Sequence, residues 1–183
     1  MKNEITYFEK SGESNTEVVL NIAFDRYQKG DIDAVIIASS FGNTALKAAE
    51  KFQNLNVPLV FVGEVLDGNQ SPSGDLCKKL EDYGHQVIWG LPMSQISKFT
   101  RNETAKIIAD AYKRISEGFK VVCEIVLMAT NTGYLRAGAK VLSIAGTHQG
   151  ADTAIVAIAG GYEDFQKFQV LEILCKPYKR QDS

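Results

Sequence analysis

The sequence predicts an α/β fold, a three-layer α/β/α sandwich, on three observations. Short runs rich in Val and Ile alternate with segments whose apolar residues repeat at helical spacing. The stretch AVIIASSFGNTALKAAEKF, Ala34 to Phe52, holds the basic unit in full: a β-like run, a turn of small polar residues and the start of a helix. Towards the C-terminus strands follow one another with no helix between them, so the sheet should be parallel in its first part and antiparallel at its end. A chain of 183 residues with 45% hydrophobic content is expected to form a single domain, 1–183, with a core large enough to need neither disulfides nor metal.

The elements follow in order. Ile5, Tyr7 and Phe8 suggest a short extended entry. Ser14 and Glu17 have capping-box spacing, and Val19, Ile22, Ala23 and Tyr27 repeat helically until Gly30, so a helix precedes the first strand, Ala34 to Ala38. The turn from Ser39 to Thr44 then opens a helix with Ala45, Leu46, Ala49 and Phe52 on one side. Val57-Pro58 breaks the chain before a second strand, Leu59 to Val62. Gly63 to Gln70 reads as a polar loop, and Ser71-Pro72 opens a helix carrying Leu76, Leu80 and Tyr83 that Gly84 stops.

Gln86 to Trp89 is a third strand and Gly90 to Phe99 an irregular loop. Thr100 and Glu103 give a second capping box, and Ile108, Ala111, Tyr112 and Ile115 form a helical stripe ending at Gly118. Phe119 to Thr132 is apolar nearly all round, which suits a buried helix or a strand. Its length and its Leu, Met and Ala content favour a helix ended by Gly133. A fourth strand, Lys140 to Ala145, a second small polar loop, Gly146 to Thr153, a fifth strand, Ala154 to Ala159, and a final strand, Phe168 to Leu174, complete the chain.

Composition restricts function. Twenty Lys and Arg against twenty-two Asp and Glu, spread without long runs, give a formal charge of −2 and no footprint for nucleic acid or an acidic membrane surface. The N-terminus has no apolar signal core and no run is long enough to cross a bilayer, so a cytoplasmic location is expected. Cys77, Cys123 and Cys175 lie far apart in apolar patterns and read as buried reduced thiols, with no metal implied.

The Ser39, Ser40, Gly42, Asn43, Thr44 turn points to an anion. The first N–H groups of a helix lack partners within it, the helix dipole adds positive potential, and small residues let a phosphate come close. The same turn is also compatible with an ordinary capped βα connection. Helix N-termini gather at the carboxyl edge of a right-handed βα sheet, so the loops Glu9–Ser14, Ser39–Thr44 and Gly146–Thr153 should share one rim. If the fourth strand lies beside the first, that rim is a topological switch point.

Single residues leave choices. His148 is either a general acid, base or phosphate contact, or a solvated loop residue. Ser39 and Ser40 lack a Gly-x-Ser-x-Gly elbow and a paired base, and read as donors rather than nucleophiles. Asp152 either bonds a sugar or ribityl hydroxyl or braces its own loop. Glu124, inside an apolar run, should meet a cation, a helix terminus or backbone donors. Phe41 and Trp89 could stack on an aromatic ligand, although core packing is the default for Trp89.

The segments YFEKSGESNTE, IIASSFGNTALKAAEKF, VVCEIVLMATNTG, IAGTHQGADTAIV and EILCKP together resemble stand-alone proteins similar to the pyruvate kinase C-terminal α/β domain. The resemblance implies a mixed five-stranded sheet in the order 3-2-1-4-5 with the last strand antiparallel, to which the final strand would be an addition. It implies a phosphorylated small molecule, with FMN the cofactor expected, bound by a homo-oligomer. Ser39, Ser40, Gly42 and Thr44 would hold the phosphate, and Gly146, Thr147, Gly150, Asp152 and Thr153 would line the opposite wall. Lys10 and the Ser11-Gly12 loop could cover it. The 183 residues leave no room for the pyruvate kinase barrel, so that reaction is excluded. The function is therefore expected to be cofactor carriage or metabolite sensing. A flavin-dependent oxidoreductase, a sugar-phosphate effector site and a hydrolase or lyase using His148 and Asp152 are the alternatives.

Overall fold

The computed structural model describes residues 3–40, 42–55, 57–66, 69–71, 74–93, 96–97 and 103–179. Among the described residues eight strands form one mixed sheet: β1 (Thr6–Phe8), β2 (Ala34–Ala38), β3 (Leu59–Leu66), β4 (Asn69–Ser71), β5 (Gln86–Gly90), β6 (Lys140–Ala145), β7 (Thr153–Ile158) and β8 (Gln169–Pro177). The α-helices among the described residues are α1 (Thr16–Tyr27), α2 (Asn43–Phe52), α3 (Gly74–Asp82), α4 (Thr104–Lys113) and α5 (Glu117–Asn131). None is long and apolar enough to cross a membrane.

β2 lies at the centre, parallel to β3 on one side and to β6 on the other, and β5 adds in parallel beyond β3. β7 runs antiparallel to β6 and β8 antiparallel to β7, while β1 pairs in parallel with β8. Strand alternation divides the core. Val35, Ile37 and Phe61 pack with Val19 of α1, Ala48 of α2 and Leu80 of α3 on one face; Ala34, Ile36 and Val60 pack with Val122 and Val126 of α5 on the other. α5 is apolar all round because it is covered twice. The sheet lies on one side, and Met93, Ala109 and Tyr162 gather around Leu127 on the other.

Three sequence expectations need correction. β3 continues past Val62 to Leu66, and β4 returns against it with Glu64 opposite Ser71, where a polar loop was expected. The helix expected to open at Ser71-Pro72 is described from Gly74 onwards, and residues 72 and 73, on which its opening falls, lie outside the described residues. Ser14 does not cap α1: residues Glu13–Asn15 form a 3-10 turn, and the Thr16 hydroxyl instead accepts from Ala151 N at 2.9 Å. Gly118 does not end α4. It sits in the first turn of α5, where a Cβ would overlap Thr153 and Asp152, and the true cap is Ser116, whose hydroxyl accepts from Phe119 N at 2.9 Å. Thr100 of the second capping box is outside the described residues, and Glu103 precedes α4 without a side-chain cap bond.

One ion cluster fastens the helix layer to the sheet. Arg26, 6% exposed in the last turn of α1, reaches Asp31 at 2.7 Å and Glu172 of β8 at 2.7 Å, and Lys140 also pairs with Asp31. Hydrogen bonding to Arg26 holds both carboxyls below their usual range. A depressed carboxyl pKa contributes stability that is present above the unfolded-state value and is lost as pH falls through the folded-state value. The melting temperature should therefore drop as pH falls below about 4, and Glu172→Gln should shallow that slope at a cost of about 1–2 kcal/mol at pH 7. Melts from pH 7 to pH 3 check this; identical slopes for both proteins would contradict it.

Candidate functional site

The carboxyl ends of β2, β3 and β6 carry a cleft of about 570 Å³, within the range of small-molecule sites. Its first wall is the β2–α2 turn. Ser39 follows β2, its N–H donates to Val62 O at 2.9 Å, and it is only 2% exposed. Its hydroxyl is buried and has no hydrogen-bond partner among the described residues. Gly42 takes the left-handed conformation (φ 89°) that turns the chain into α2, after which Asn43 and Thr44 face the cleft from the first helical turn. A Cβ on Gly42 would meet only the end of the flexible Leu76 side chain of α3, so it is the left-handed backbone rather than crowding that favours glycine here, whether or not an anion approaches it. Phe41 lies outside the described residues.

The second wall is the β6–β7 loop, which supplies Gly146, Thr147, His148 and Gly150. The loop is held tightly. A Cβ on Gly146 would lie 2.5 Å from Gly150 O, and one on Gly150 would overlap the backbone of Glu13 and come within 2.6 Å of the Thr16 hydroxyl. His148 is exposed, with φ at 61°, and no described residue hydrogen-bonds to it.

Asp152 is fully buried and organises this wall from behind. Oδ2 accepts from Gly12 N at 2.9 Å and from Thr147 N at 3.0 Å, and Oδ1 accepts from the Thr153 hydroxyl at 2.7 Å. Between the two roles left open by the sequence, the geometry is that of a brace, and one that reaches across to the Gly12 loop. Asp152 and Thr153 do not line the cleft, nor do Lys10 and Ser11. Lys10 is exposed and its carbonyl accepts from the Asn15 side chain at 2.8 Å, while the Ser11 hydroxyl is buried without a partner among the described residues.

Sequence reasoning missed three lining carboxylates, Glu13, Glu64 and Glu117, together with Gln149 and Val121. By strand alternation Glu64 follows Val60 and Val62 on the α5 face, so the cleft has its hydroxyl-bearing turn on the α2 side with Glu64 and Glu117 across the sheet edge, while Glu13 enters from the α1 side. Deeper on that side Glu124, 1% exposed, accepts from Met93 N at 2.9 Å and pairs with Lys120 at 2.6 Å. It thus meets both a cation and a backbone donor. Burial still pushes its pKa up, helped by the neighbouring charge of Glu64 and opposed by Lys120. Trp89 packs against the α1–α3 core rather than lining the cleft. Cys77, Cys123 and Cys175 are buried and none of them forms a disulfide.

Fold and site together define an α/β protein with a cleft at the carboxyl edge of a mixed sheet, walled in part by hydroxyl-bearing turns. No protein-family model matches the chain.

Proposed function

We propose that this cleft binds a phosphorylated small molecule, with FMN as the leading candidate, and that the protein carries a cofactor or senses a metabolite. The single observation that carries the reading is the Ser39 hydroxyl. It lines the cleft at the N-terminus of α2, is buried, and has no partner among the described residues, an arrangement that leaves its donor available to an acceptor entering the cleft, a phosphate oxygen or a water. The N–H groups of Asn43 and Thr44, in the first turn of α2, add the donors and positive potential that a phosphate dianion requires. The pairing of β5, β3, β2, β6 and antiparallel β7 supports reading the chain as a stand-alone relative of the pyruvate kinase C-terminal domain with the strand order 3-2-1-4-5, extended by β8 and β1. A cytoplasmic homo-oligomer belongs to the same reading.

A binding role is preferred to hydrolysis. The carboxylate of Asp152 is spent on Gly12, Thr147 and Thr153, which leaves His148 without the carboxylate that would orient it as a base. An oxidoreductase would need the same flavin, and reduction by a nicotinamide cofactor distinguishes it from a carrier. An absorbance spectrum of the purified protein and of its denatured filtrate, followed by titration with FMN, tests the reading. Ser39→Ala should weaken FMN binding at least tenfold, since hydrogen bonds to charged groups contribute about 1.5–3 kcal/mol, and should leave the melting temperature of the ligand-free protein unchanged or higher. Equal affinity in both proteins would place the phosphate elsewhere.

A further inference from the structure

The charged residues that line the cleft are all of one sign. Glu13 approaches from the turn before α1, Glu64 from β3 and Glu117 from the first turn of α5, and no lysine or arginine lines the cleft among the described residues. Glu117 is 3.8 Å from Lys113, whereas Glu13 and Glu64 have no ion-pair partner among the described residues. Glu13 enters from the α1 side; Glu64 and Glu117 stand on the α5 side, where Glu124 is already paired with Lys120 and Glu117 lies beside Lys113, so Glu64 is the lining carboxylate there with no cation beside it among the described residues. On the opposite side stand the unpartnered Ser39 hydroxyl and the amino end of α2, which attract an anion. The cleft is thus polarised across its width.

We infer that the cleft selects phosphate monoesters whose remaining part is neutral or cationic, and that Glu64 is the main determinant turning away a second phosphate. The inference rests on the phosphate reading above and adds the polarity of the rest of the ligand. The physical reason is differential. Carboxylates accept hydrogen bonds from hydroxyl and ammonium groups, but a second phosphate offers only acceptors and like charge, and repulsion in a partly desolvated cleft is stronger than in water. A monoester places its one dianion at Ser39 and directs donors towards Glu64 and Glu117. A bisphosphate of similar size cannot avoid bringing a dianion to them.

Calorimetric titration with fructose 6-phosphate and fructose 1,6-bisphosphate tests this, in EDTA so that no divalent ion bridges phosphate to carboxylate, with inorganic phosphate as a third probe. The wild type should bind the monophosphate at least tenfold more tightly than the bisphosphate. Glu64→Gln should reduce that ratio below threefold, chiefly by tightening the bisphosphate, and should not lower the melting temperature because it removes a charge that opposes Glu124. Equal affinity of the wild type for the two sugars would overturn the selectivity while leaving the phosphate site standing. Inorganic phosphate bound with neither sugar would also overturn it. An unchanged ratio in Glu64→Gln would remove Glu64 from the role. Silence of all three probes would overturn this inference, and silence of FMN as well would remove the phosphate reading with it.

Discussion

Asp152→Ala is expected to cost about 4 kcal/mol of folding stability and to lower the melting temperature by roughly 8–16 °C. Three donors converge on one fully buried carboxylate, and alanine leaves Gly12 N, Thr147 N and the Thr153 hydroxyl without their acceptor. Each buried group left unpaired costs about 1–3 kcal/mol. Asp152→Asn distinguishes geometry from charge. Its amide oxygen can still accept from both backbone N–H groups, and its NH₂ can donate to a Thr153 hydroxyl rotated to accept, so most of the stability should be kept. Thermal melts of the two variants decide the matter; an alanine variant as stable as the wild type would mean that the brace is not holding the loops together. Asp152→Asn with intact stability but lost FMN affinity would instead indicate direct contact with the ligand.

The second large effect is expected at Gly150. Alanine there must adopt a left-handed backbone, at about 1–2 kcal/mol, and must also push away the backbone of Glu13 and the Thr16 hydroxyl, which accepts from Ala151 N. Because the obstacle is main chain rather than the end of a flexible side chain, relief requires the β6–β7 loop to part from the start of α1. Gly150→Ala should therefore cost about 3 kcal/mol or more, by chemical denaturation. Gly30→Ala is the control: its φ is similarly positive, but nothing lies within 4 Å of the added methyl, so only the backbone cost should appear. Equal losses at the two positions would show that crowding at Gly150 contributes nothing.

The two walls were legible because each is a short contiguous segment. The Ser39–Thr44 turn and the Gly146–Gly150 loop advertise themselves through small residues between apolar runs, and chain direction alone assigns both to the carboxyl edge. The carboxylates were not legible for the same reason in reverse. Glu64 faces the cleft only because β3 extends beyond Val62, and a strand that passes through Gly63 and Glu64 has weak β-propensity when read alone. The Asp67-Gly68 dipeptide, itself outside the described residues, was the available signal, since Asp-Gly between apolar runs is a general hairpin pattern in sequence. The Ser14–Glu17 spacing suggests a cap because capping boxes are local patterns, whereas the Thr16 hydroxyl is occupied by a residue 135 positions away in sequence. Asp152 could be placed on either side of its loop from sequence, and only its distance to Gly12 decided the role.

The central pairing of β2 with β6 sets the cleft's dependence on the whole molecule. Ile37 lies in register with Ile144, so the turn bearing Ser39 and the loop bearing Thr147 meet only when segments separated by roughly a hundred residues have joined, against the loop-closure entropy of that span. No partly folded piece of the chain holds both walls. A molecule that requires both therefore has no affinity for incomplete states, and by mass action it strengthens the folded protein by RT ln(1 + [L]/Kd), about 2.7 kcal/mol at a hundredfold excess over Kd. Occupancy of the cleft and integrity of the fold are, for such a molecule, one equilibrium.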